Sequence, residues 1–118
     1  MVCLDKSEPG RTVWRMAADE RFANPTGIIQ GGFLAAFADS SMGASALTFA
    51  RERKVFAANA ELKVSFLRPV PVGATLTCTA FVISGGGRAV FAEAEVVDDE
   101  SRLVVKASST YLLWSRDD

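Results

Sequence analysis

Between Arg21 and Arg51 the chain carries a single formal charge, Asp39, set in a run of small and apolar residues. That run constrains the fold more than any other feature. Asn24-Pro25-Thr26-Gly27 is turn chemistry, and Gln30-Gly31-Gly32 then opens a helix expected from about Gly32 to Ala50. At 1.5 Å per residue such a helix is about 27 Å long. Phe33, Leu34 and Phe37 give it bulk, while Ala35, Ala36, Ala38, Ser40, Ser41, Gly43, Ala44, Ser45 and Ala46 make it small nearly all round. A helix of this kind lies close against another surface, most simply a sheet curved around it. Arg51-Glu52-Arg53-Lys54 places cations at its C-terminal end, where the helix dipole favours them. Three and four positions from Asp39 stand Ala35, Ala36, Met42 and Gly43, none of which offsets its charge. An ion on such a surface is costly to bury unless something holds it or uses it, so Asp39 is the candidate for chemistry.

The rest of the chain reads as strands. Residues 1–10 look frayed, with Glu8-Pro9-Gly10 as a stop, and 11–18 fit a first strand. Phe56, Ala58, Ala60, Leu62, Val64 and Phe66 alternate with Asn59, Glu61, Lys63 and Ser65 at a period of two. Residues 74–84 alternate likewise, Gly85-Gly86-Gly87 makes a hairpin turn, 89–97 return, and 98–101 turn again into 103–114. One long helix and about five antiparallel strands form an α+β arrangement whose open edges and second helix face invite a partner subunit.

With 118 residues, 49% hydrophobic and 23% charged, the chain is expected to be one globular domain over 1–118 with its own core. A net charge of −1 excludes a nucleic-acid footprint, and any anionic ligand must be met by local basic residues. The N-terminus lacks the apolar core of a secretory signal. Asn24, Pro25, Gln30, the glycines and Asp39 rule against a membrane span over 22–50. Cys3 and Cys78 read as free thiols in a reducing cytoplasm. No histidine is present, which removes Ser-His-Asp and Cys-His machinery and imidazole metal ligands. No metal site or cofactor is expected. Proton chemistry then falls to carboxylates, or failing those to Lys or Tyr111.

At this point the residues resemble the hotdog-fold acyl-CoA thioesterases (the 4-hydroxybenzoyl-CoA thioesterase superfamily), in particular the phenylacetate-pathway-like branch. The resemblance covers about 11–114. It rests on Asn24, then Gln30-Gly31-Gly32 six positions later, then Asp39 nine after Gln30, where the family writes Asn, His-Gly-Gly and an acid. Asn59-Ala60-Glu61-Leu62-Lys63-Val64-Ser65-Phe66-Leu67-Arg68-Pro69 is similar to the family strand that ends in a Leu-Arg-Pro corner. The fold implied is a hotdog: a long central helix wrapped by a curved antiparallel sheet. The activity implied is hydrolysis of an acyl-CoA thioester, aryl or short to medium chain. Asp39 would be general base or nucleophile, a choice the residues leave open. The Gly31 N–H would hold the thioester oxygen, Asn24 would orient the water or carbonyl, and Asn59 would be the polar group beside the acid.

In the family, the glycine-bearing loop and the acid of one site come from different subunits, so a homodimer is implied, paired into a tetramer. Gln30 departs from the family's His: it can donate a hydrogen bond but carries no proton. Because the oxyanion donor is the backbone of Gly31, activity is expected to survive. The CoA ester would be held by Gly32, Glu61, and the corner with Phe66, Arg68 and Pro69. The hairpin with Ser84, Gly85, Gly86 and Arg88 would complete that cradle, the two arginines suiting phosphate. Two other readings stand beside hydrolysis. One is a non-catalytic acyl-CoA or acyl-carrier-protein binding module, motivated by Gln30. The other is a hotdog hydratase or dehydratase, whose catalytic His this chain lacks.

Overall fold

A computed structural model describes residues 1–116. Along the chain lie strands β1 (Val2–Asp5) and β2 (Arg11–Ala17), a 3-10 turn (Glu20–Phe22), helix α1 (Gly31–Phe49) and strands β3 (Val55–Phe66), β4 (Thr75–Gly85), β5 (Ala89–Val97) and β6 (Leu103–Ser115). The strands form one antiparallel sheet in the order β1-β2-β4-β5-β6-β3, and α1 packs across it against β2 to β6. This is the expected hotdog architecture with one more strand. Residues 1–10 are not frayed throughout: β1 pairs with β2, Val2 opposite Arg15 and Cys3 opposite Trp14. It is a short edge strand with Val2 and Leu4 exposed, so it lacks the buried alternation that announces a strand in sequence.

The core explains why the helix is built from small residues. Its inward side, Leu34, Phe37, Ala38, Ser41, Met42, Ser45 and Ala46, is buried. Facing it are Cys78, Ala80, Ala92, Ala94 and Ala107, also buried, so small side chains meet small side chains and the two backbones come close. The buried hydroxyls are all partnered. Ser45 Oγ lies 2.7 Å from Thr12 Oγ1 and donates to the Ala80 carbonyl at 2.9 Å; Ser41 Oγ donates to the Phe37 carbonyl at 2.8 Å. Away from the sheet, α1 shows no polar stripe: Phe33 and Leu47 are 40% and 43% exposed. One apolar side of the helix is packed on the sheet and the other is left open.

The C-terminal end of α1 is closed as its charges suggested, with Arg51 Nε donating to the Thr48 carbonyl at 3.2 Å. Beside it lies the β4–β5 turn, where a Cβ on Gly85 would come within 2.5 Å of the Phe49 ring. Only glycine fits there. Arg53 secures the same turn by donating to the Gly86 and Gly87 carbonyls.

One pattern read from the sequence needs correction. The period of two along β3 does not put Phe56 through Phe66 on a single face. A bulge sets Asn59 opposite Tyr111 but Glu61 opposite Thr110, leaving Ala60 as the extra residue. The phase therefore flips: Ala57 packs on the core before the bulge and Val64 after it. Phe56, opposite Trp114, is left on the outer face.

Candidate active site

The N-terminal end of α1 is fixed by a stitched loop. Asn24 Oδ1 accepts from the Thr26 N–H (3.0 Å), the Thr26 hydroxyl (2.6 Å) and the Ile28 N–H (3.2 Å). Gly27, with a φ of 84°, closes the turn by donating to the Asn24 carbonyl. The Ile29 N–H donates to Val70 O and the Gln30 N–H to Phe22 O, each at 2.9 Å, which ties the loop to the β3–β4 corner and to the 3-10 turn. Gln30 is the N-cap through its backbone; its side chain makes no capping bond and is exposed. Gly31 is the first helical residue, so its N–H has no acceptor within the helix and points out of the positive end of the dipole. The Phe66 ring lies within 3.0 Å of where a Gly31 Cβ would stand. Gly31, Phe66, Arg68 and Pro69, with Leu34 and Val70 behind them, line a cleft of about 350 Å³.

Asp39 lies further along α1 and is half-buried. Its Oδ1 accepts from Tyr111 Oη at 2.6 Å and from Asn59 Nδ2 at 2.9 Å. Asn59 Nδ2 also donates to Ser109 Oγ at 2.8 Å, and Ser109 Oγ donates to the Glu61 carbonyl at 2.6 Å. The bulge is what turns Asn59 inward to this cluster, and the Glu61 carboxylate accepts from the Thr110 N–H on the other side of it. Burial first, and then the bond to Asp39, push the Tyr111 phenol well above its ordinary value, so it stays a donor at neutral pH. From sequence Tyr111 is only a fallback for proton chemistry, and Ser109 carries no signal at all. They share an inward face of β6, but only the β3–β6 register shows that this face meets Asp39.

The expected site residues thus fall into three places. Asp39 and Asn59 are together. Asn24, Gln30, Gly31, Gly32, Phe66, Arg68 and Pro69 gather at the start of α1. Because α1 rises about 1.5 Å per residue, Asp39 is about 12 Å along the axis from Gly31, beyond the span of one carbonyl carbon. Gly85 lies against Phe49 at the far end of the helix, and Ser84, Gly86 and Arg88 belong to the same β4–β5 hairpin, so one chain does not bring the two halves of the expected CoA cradle together. Meanwhile β3, which carries Asn59 and Phe66, is an edge strand of twelve residues with Phe56, Leu62 and Phe66 exposed.

A helix N-terminus aimed at a cleft, an acid on the same helix and this sheet order can be set against known proteins. The model of the thioesterase superfamily matches residues 26–105, most of the chain. The chain belongs to the thioesterase superfamily. The expectation of a thioester-hydrolysing enzyme is therefore met at the level of the family. Among solved structures, the E. coli PaaI protein from the phenylacetic acid degradation operon is similar at 23% identity and a TM-score of 0.85, over 92% of this chain and 75% of that one. The protein smu.793 from Streptococcus mutans, solved bound to acetyl CoA, is 16% identical with a TM-score of 0.90, over 99% and 90% of the two chains. A hypothetical thioesterase from Streptococcus pneumoniae, solved with coenzyme A, is 18% identical with a TM-score of 0.86, over 97% and 89%. These likenesses show the hotdog fold. No curated protein matches the chain. Among the described residues no helix is long and apolar enough to cross a membrane.

Proposed function

We propose that this thioesterase hydrolyses an acyl-CoA ester in a site shared by two copies of the chain. Asp39 of one copy activates a water, or attacks the carbonyl itself, and the Gly31 N–H of the other stabilises the oxyanion. The observation that carries this reading is the distance along α1. The two groups stand on one rigid helix, about 12 Å apart, yet the chemistry needs both within hydrogen-bond reach of one carbonyl. Antiparallel pairing of β3 with its copy supplies the second chain. It would satisfy the open edge, and a two-fold axis would carry the Gly31 and Phe66 end of one copy toward the middle of β3 in the other. The exposed apolar side of α1 gives such an assembly more surface to bury, and a tetramer would be built from two such pairs.

The same geometry supports coenzyme A as the carrier. Arg68 borders the cleft beside Gly31, while Arg88 and the glycine turn lie at the far end of the chain and would come from another subunit. The acyl group, aryl or short to medium chain, would occupy apolar space near Gly31. Asn24 has spent its side-chain oxygen on the turn, which leaves its Nδ2 to orient a water or the carbonyl. Gln30, exposed and without a capping bond, braces no step that requires a proton. Coenzyme A esters place the work in the cytoplasm, in keeping with free Cys3 and Cys78.

Thiol release from a panel of aryl and fatty acyl-CoAs tests the reading. Turnover that Asp39→Asn abolishes in a folded protein is the expected result. Wild-type rates in that variant, or tight CoA-ester binding without any turnover by the wild type, would overturn it.

A further inference from the structure

The Asp39 carboxylate is held by one oxygen. Oδ1 accepts from both Tyr111 and Asn59, whereas Oδ2 has no hydrogen-bond partner among the described residues. The terminal torsion of an aspartate is broad, so a carboxylate without such donors would swing between its two equivalent ends. The Tyr111 hydroxyl also lies 2.9 Å from the Asp39 backbone carbonyl. That carbonyl already faces the Gly43 N–H one helical turn on. The single phenolic proton therefore goes to the shorter, charge-assisted contact at 2.6 Å. The ring reaches this position by lying over Gly43, where an added Cβ would meet it at 3.7 Å.

We propose that Tyr111 is a positioning residue for thioester hydrolysis: with Asn59 it pins Asp39 Oδ1 and so presents Oδ2 to the reacting carbonyl or water. The proposal rests on Asp39 being the working carboxylate. A hydroxyl that merely satisfied its own hydrogen bond could donate to any backbone oxygen nearby. This one has the Asp39 carbonyl within 2.9 Å but lies closer to the carboxylate, and a second donor, from another strand, meets the same carboxylate oxygen. Ser109 completes the arrangement by holding Asn59 at the bulge.

The chain has one tyrosine, so its phenolate absorbance reports this contact without ambiguity. The charged group facing the phenol is Asp39; its other polar neighbours, Asn59 and Ser109, are neutral. The test combines thiol-release kinetics of the wild type, Asp39→Asn and Tyr111→Phe with ultraviolet titration of the wild type and Asp39→Asn. In Tyr111→Phe, kcat should fall about tenfold to a hundredfold with KM within about twofold, since a displaced reactive oxygen costs rate rather than binding. In Asp39→Asn, the phenol should ionise at lower pH than in the wild type, because the charge opposing the phenolate is gone. A Tyr111→Phe enzyme with wild-type kcat overturns the positioning role while the hydrolase reading stands. An unshifted titration in Asp39→Asn overturns it without recourse to the Phe variant, including where that variant does not fold. If Asp39→Asn and the wild type turn over alike, the hydrolase reading itself fails and the role of Tyr111 fails with it, even where the titration shift shows the contact.

Discussion

Two polar clusters flank α1, and they differ in what they leave unspent. On the side facing β2 and β4, Thr12, Ser41 and Ser45 are fully buried, neutral and closed: each hydroxyl has a partner within the cluster or on a backbone carbonyl. On the side facing β3 and β6, Tyr111 and Asn59, the latter held by Ser109, converge on an ion that is half-buried and retains one free oxygen among the described residues. The first arrangement holds the helix to the sheet. The second holds a charge at an open surface, as the proposed hydrolysis requires. Hydroxyl content does not separate structure from chemistry here; an unsatisfied acceptor at a surface the chain leaves open does.

The contrast can be broken most severely at the open cluster. Asp39→Asn, which keeps shape and hydrogen-bonding capacity, is expected to lower kcat by about 10²–10⁴-fold. Its circular dichroism and gel-filtration volume should match the wild type, and a comparable loss of fold would erase the distinction between the clusters. Next comes the edge that the open cluster faces. Leu62→Lys puts a charge on β3, where it opposes strand pairing. Light scattering should then show a smaller species, with specific activity falling on dilution, while the monomer fold stays intact.

In the closed cluster the balance reverses. Ser45→Ala removes a donor from the buried Ala80 carbonyl and a partner from Thr12, and should cost about 1–3 kcal/mol in chemical denaturation. The kcat of the folded protein should stay unchanged. The effect confined to high pH, and so the least visible under ordinary conditions, concerns Cys78, on the same side. Burial pushes its thiol from 9.0 up to about 11, partly opposed by a bond with Ser41. A folded value above the unfolded one means that the unfolded chain loses its proton first. This contribution to stability is therefore complete below pH 9 and lost as pH rises through about 11, at about 2–3 kcal/mol in all. Cys78→Ala should lower stability at every pH by the cost of the lost buried sulfur and, beyond that, flatten this part of the stability–pH curve, as urea melts at several pH values would show.

Much of this architecture was legible before any coordinates. A charge-free run interrupted by one acid announced the helix and its candidate residue, because burial of an ion leaves few explanations. Alternation placed β4, whose inner face is buried and outer face is not, and the turns at 85–87 and 98–101 placed β5 and β6. Spacing from Asn24 through Gln30 to Asp39 pointed to the thioesterases. The bulge at Ala60 was not legible: an extra residue leaves no mark when alanine and alternating residues surround it, yet it decides that Asn59 faces Asp39. The contact of Tyr111 with Asp39 escaped for a related reason, since the two are 72 residues apart in sequence and only strand register brings them together. β1 escaped because an exposed edge strand carries no buried pattern. The separation of Phe66–Pro69 from Ser84–Arg88 was likewise hidden, for sequence order says nothing of which end of the helix each turn meets.

Under the proposed function Asp39 and Gly31 act together only across two copies of the chain, and refolding a mixture of two variants decides whether they do. Asp39→Asn and Gly31→Pro each disable one half of a shared site; the proline removes the N–H at a first helical position where proline is tolerated. Each variant alone should be inactive. After the two are unfolded and refolded together, half of the pairs are mixed and each mixed pair regains one intact site of two, so activity should return to about a quarter of the wild type. A mixture as inactive as its components would contradict the account.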